Sequence, residues 1–156
     1  MPNPSPNLVV RRGFTFVELV VVVLLLGIMA SIAAPKYVQA LAHHRASGAA
    51  ARVAADLRLA REHARRSSVV QPVLFNLATE SYTLTGMPDL NRPASTYAVP
   101  VGAQYQADVV SANFNNTTTV QFDIYGRPNF IGSVVVRSGG VQRTIEVDAV
   151  GGIRVL

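Results

Sequence analysis

The chain has 156 residues, of which 49% are apolar and 15% charged, and it has no cysteine. That apolar content excludes wholesale disorder, and the missing thiols exclude a disulfide scaffold, Cys-ligated zinc and thiolate chemistry. Fourteen basic residues against nine acidic ones give a formal charge of +5, which implies an acidic partner only where the charge is clustered.

Taken in chain order, the averages resolve into distinct pieces. Residues 1–13, MPNPSPNLVVRRG, are rich in Pro and Asn and end in Arg11-Arg12-Gly13. Residues 14–34 hold 17 apolar residues of 21, with Glu18 as the one charge. At ~1.5 Å per residue this segment reaches roughly 30 Å, the thickness of a bilayer core. Two arginines precede it and Lys36 alone follows, so the positive-inside rule puts the N-terminus in the cytoplasm and the C-terminal domain across the membrane. The competing readings are a secretory signal peptide, with residues 30–34 as a small-residue cleavage site, and a plain signal anchor. Against the first, the run exceeds the ~7–15 residues of a signal-peptide core. Against both, an unpaired acid at mid-membrane costs on the order of 2.5–3.5 kcal/mol, so such acids usually have a partner.

The string Arg-Arg-Gly-Phe-Thr-Phe-Val-Glu-Leu, residues 11–19, resembles the processing site of type IV pilins and type II secretion pseudopilins. The resemblance implies cleavage by prepilin peptidase between Gly13 and Phe14, N-methylation of the new Phe14 amine, and Glu18 as fifth residue of the mature chain. It further implies that Glu18 pairs with the Phe14 amine of a neighbouring subunit, setting register within a bundle of helices. Pro35 stands where the family often has a proline. Glu18 resting at the headgroup level is the plainer alternative.

Beyond Pro35, apolar residues recur at i, i+3, i+4 and i+7: Val38, Leu41, Ala42, Ala46, Ala49, Val53, Leu57, Ala60 and Ala64. This spacing predicts one amphipathic helix from about Phe14 to about Ser67, kinked near Pro35 and weakened at Gly27 and Gly48. The period then changes to two. Val73, Phe75 and Leu77, then Tyr82 and Leu84, predict a hairpin about Ala78-Thr79. Residues 86–98 read as a loop, residues 97–110 as containing a strand or two, and Asn113–Thr119 as a polar turn. Val120, Phe122 and Ile124 alternate before a turn over residues 125–129. Strands over 131–137, 141–149 and 153–156 complete the pattern, with turns at Ser138–Gly140 and Gly151-Gly152.

A long helix followed by antiparallel strands is an α+β arrangement, and the helical stripe must be buried on the strand faces. It resembles a pilin head: leader 1–13, membrane and filament-core helix 14–34, amphipathic continuation 35–67, and β-rich head 68–156. Ala54–Arg61 through Val73–Phe75, with Phe122–Pro128 and Val147–Val155, is similar to the GspH/FimT subgroup. That likeness implies a non-enzymatic minor pseudopilin or minor pilin. It would be anchored in the bacterial inner membrane with its head in the periplasm, and assemble with other pilin subunits to support protein secretion.

The positive charge concentrates on the helix. Residues 45–66 carry six arginines against Asp56 and Glu62, whereas residues 67–156 carry five against six acids. The arrangement reads as a solvated or subunit-facing helix side, with i, i+4 pairs Arg52–Asp56 and Glu62–Arg66 worth a few tenths of a kcal/mol each. The alternative is a DNA contact for uptake, as some FimT-type minor pilins make, for which Arg143 and Arg154 would be the sparse C-terminal candidates. His43, His44 and His63 lack a zinc spacing, and no nucleophile motif or phosphate-binding loop occurs. No enzyme, metal or cofactor is expected.

Overall fold

A computed structural model describes residues 13–89 and 93–156. Leader residues 1–12, with Arg11 and Arg12, lie outside them, as does the centre of the 86–98 loop with Asn91. The N-terminal unit, to Tyr37, and the unit from Val38 to Leu156 are separate compact bodies.

In the N-terminal unit, helix α1 (Phe16–Ser67) begins two residues later than the periodicity suggests. The Glu18 amide donates to Thr15 Oγ1 at 3.2 Å, so Thr15 caps the helix and leaves Gly13 and Phe14 outside it. Every residue from Phe14 to Tyr37 is exposed. Pro35 lies inside the continuous helix, where it has no backbone N–H to donate. Ser31 Oγ donates to the Ile28 carbonyl at 2.7 Å.

In the second unit, α1 buries Ala46, Ala49, Ala50, Val53, Ala54, Leu57, Ala60 and Ala64. The stripe starts later than the spacing suggests, since Val38 is exposed. Six of those eight are alanine, and small side chains let sheets approach the helix axis closely.

Among the described residues, two four-stranded sheets form the head. The first has the order β3-β2-β1-β5, from β1 (Gln71–Asn76), β2 (Ser81–Pro88), β3 (Thr96–Pro100) and β5 (Thr119–Phe122). The second has the order β4-β6-β7-β8, from β4 (Asp108–Asn113), β6 (Gly132–Ser138), β7 (Val141–Val147) and β8 (Ile153–Val155). All pairings are antiparallel. The first hairpin falls where alternation places it, with Val73 opposite Leu84 and Phe75 opposite Tyr82. Three alternating residues leave their strands at the ends: Leu77, Ile124 and Ala149 are exposed turn residues. Turn hydrogen bonds, not apolar period, end those strands. The expected 86–98 loop is shorter, because β2 runs to Pro88 and β3 starts at Thr96.

A five-residue helix α2 (Val101–Tyr105) follows β3. It is too short to show a helical period, and Gln106 closes it in the left-handed region with its amide on the Gly102 carbonyl. Phe114, within the polar turn region, is fully buried and lies 6.1 Å from the Phe75 ring, which is 5.5 Å from Tyr82. These rings join residues of α1 and both sheets in one apolar core.

Candidate processing and assembly site

Gly13 and Phe14 stand in non-helical backbone immediately before the Thr15 cap, and Glu18 occupies the third helical position. An acid in the first turn suits the positive end of the helix dipole. Thr15 and Glu18 form the Thr-x-x-Glu spacing of a capping box, a local signal that reading the string for processing alone misses. From Phe16 onward an 18-residue window has a mean hydropathy of 2.7, and none of it is buried.

On the head, Arg52, Arg58, Arg61 and Arg65 of the helix are engaged with the protein itself. Arg58 Nη2 donates to the Ile153 carbonyl and Arg61 Nη1 to the Gly151 carbonyl, each at 2.8 Å. They are therefore not simply a solvated side. The pairing expected between Glu62 and Arg66 is replaced by Arg61 and Arg65, at 2.9 and 3.5 Å from Glu62 Oε1. The Arg61 hydrogen bond holds the Glu62 carboxyl below its ordinary range, with Arg65 adding to it.

The Arg52–Asp56 pair exists at 2.9 Å, but it is not the surface pair that its spacing suggests. Asp56 is buried, and it also accepts from the hydroxyls of Tyr82 on β2 and Tyr97 on β3. The Tyr97 hydroxyl in turn accepts from Arg52 Nη2. Burial, then the Asp56 carboxylate, pushes both phenols above their ordinary pKa, despite the opposing Arg52 charge. Burial pulls the Arg52 guanidinium down, yet Asp56 and the two tyrosines outweigh it and leave it raised. The sequence did carry a signal here: Asp56 lies three residues after Val53 and four before Ala60, on the apolar stripe.

Two loops share one design. Asp123 Oδ1 accepts the amides of Tyr125 and Arg127 at 2.9 and 2.8 Å, and Asp148 Oδ1 accepts those of Val150 and Gly152 at 3.0 and 2.6 Å. Gly126 and Gly151 both have φ of +80°, which favours glycine. A Cβ at Gly151 would strike the Gly126 carbonyl, so the loops lie backbone to backbone.

Arg143 and Arg154 do not converge. Arg154 sits opposite Glu146, while Arg143 shares its face of β7 with Ile145 and Val147, which puts the two arginines on opposite faces of the sheet. Among the described residues, no group of three or more His, Asp or Glu side chains is placed to hold a metal ion.

Residues 49–151 match the family described as type II transport protein GspH. The chain belongs to the GspH family. Residues 10–34 of this GspH-family chain also match the prokaryotic N-terminal methylation motif, the hallmark of type IV pilins and pseudopilins. Its fold is shared with the type IV minor pilin FimU of Pseudomonas aeruginosa strain PAO1, known in two crystal forms. One form gives a TM-score of 0.57 at 12% identity, covering 73% of this chain and 90% of the other. The second gives 0.53 at 12% identity, with 70% and 91% covered. A comparison with curated proteins gives no match. The GspH family is structural rather than enzymatic.

Proposed function

We propose that this chain is a minor pseudopilin or minor pilin subunit, cut by prepilin peptidase between Gly13 and Phe14 and then built into a short filament that supports protein secretion. The observation that carries the reading is the uncovered apolar half of α1, continuous with the methylation motif. A surface of this kind needs lipid before assembly and neighbouring helices after it. In this reading residues 14–34 cross the inner membrane once, with the N-terminus cytoplasmic and the head periplasmic. Gly13 and Phe14, held outside the helix by the Thr15 cap, present the scissile bond in non-helical backbone. Glu18 then pairs with the methylated Phe14 amine of an adjacent subunit, where both charges offset each other's burial. Pro35 stands just beyond the crossing segment.

N-terminal sequencing of the membrane-extracted protein from peptidase-containing cells tests this. The expected first residue is Phe14. A chain beginning at residue 35, or retaining Met1, overturns the reading. Glu18→Val is expected to leave membrane insertion intact and to remove the protein from sheared or cross-linked filament fractions.

A further inference from the structure

We infer that Arg58 and Arg61 close the free edge of the second sheet against addition of a strand from another copy of the chain. Strand β8 ends the order β4-β6-β7-β8. Thr144 and Leu156 exchange both backbone hydrogen bonds, N to O at 3.3 and 2.8 Å. By antiparallel alternation, the backbone groups of Arg154 also face β7, whereas those of Ile153 and Val155 face outward. An outward row of this kind, in the mostly apolar sequence Ile-Arg-Val-Leu, is a template for another strand.

The guanidiniums of Arg58 and Arg61, one helical turn apart on α1, occupy the carbonyls of Ile153 and Gly151. An incoming strand would need the Ile153 carbonyl for its own amide, while the Gly151 carbonyl lies in the turn that leads into β8. Hydrogen bonds from a charged donor are stronger than those a strand amide offers, and the planar fork of arginine reaches a carbonyl with little freedom to lose.

The other three edges have devices of their own, which makes the β8 arrangement part of a pattern. Strand β3 ends in Pro100. Strand β4 carries a bulge between Val109 and Ser111. Strand β5 is covered by Asn129, which bonds both the amide and the carbonyl of Gln121. Strand β8 takes its protection from α1.

The test uses the full chain in detergent micelles, with amide hydrogen exchange and cross-linking over a range of protein concentrations. In the wild type, the Ile153 and Val155 amides exchange faster than those of Arg154 and Leu156. In R58A/R61A, Ile153 and Val155 gain protection as concentration rises. The cross-linked dimer increases roughly tenfold, the loss expected when a charged hydrogen bond no longer opposes pairing. Adding Val155→Pro removes an outward amide without touching the β7 ladder, and is expected to abolish the dimer. R58K/R61K stays monomeric, and R58A alone gives a smaller rise, which serves if the double variant folds poorly. Three results overturn the inference: unchanged exchange and no dimer in R58A/R61A; association that leaves Ile153 and Val155 unprotected; or lost protection at Arg154 and Leu156, which would mean that the arginines only hold the strand down.

Discussion

The two halves of α1 invert the usual relation between hydrophobicity and burial. Residues 16–34 are mostly valine, leucine and isoleucine, and all are exposed. Residues 46–64 bury mainly alanine, with one aspartate among them. The first half has large side chains because its partners are lipid or other helices, in the reading proposed above. The second has small ones because two sheets close on it. Burial in this helix follows the space that the partner leaves, not the hydropathy of the residue.

Substitutions that move one half toward the logic of the other measure this difference. The largest effect is expected at Asp56→Ala, which strands two buried tyrosine hydroxyls and frees Arg52. The head should lose about 3 kcal/mol or more, read as a lower melting temperature of the full chain in detergent. Ala54→Leu forces extra methylenes between helix and sheet and should cost about 1–3 kcal/mol on the same melt. Tyr82→Phe leaves Asp56 its other two donors and should cost about 1 kcal/mol.

The raised phenols also give a pH signature. Above pH ~10 the tyrosines of the unfolded chain ionise while Tyr82 and Tyr97 in the folded chain stay protonated. The unfolded state then binds fewer protons, so stability falls as pH rises. Melts should be level between about pH 7 and pH 9 and decline above about pH 10, and Tyr82→Phe should flatten the decline. The smallest effect is expected at Val22→Leu, which should leave the head melt within about 0.5 kcal/mol of wild type, because Val22 is exposed on the uncovered half.

Much of this was legible in the sequence where the signal is local. The Arg-Arg-Gly-Phe string, the length of the apolar run and the helical spacing through Ala64 depend only on neighbours along the chain. The first hairpin did too, since Val73 and Leu84 are joined by a short turn. What stayed hidden depends on distant pairing. Arg58 and Arg61 resembled solvated charges because the carbonyls they bind lie some 90 residues on. Tyr82 and Tyr97 alternate like any core residues, and nothing near them announces an aspartate on the helix. Helix α2 is shorter than two turns, and Phe114 is buried from within a polar turn. The division into two sheets left no trace in the period, because strands of either sheet alternate alike.

That division has a kinetic consequence. The chain lays down β1, β2 and β3, crosses to the second sheet for β4, returns for β5 and crosses again for β6. Gln71 therefore waits for Phe122, its partner on β5, and the alanine face of α1 waits for β8. Closing such long loops precedes the contacts that reward it, which slows folding. During synthesis the first sheet is complete only at Phe122, when the second has only β4, and a chain truncated before residue 119 lacks the last strand of the first sheet as well as most of the second.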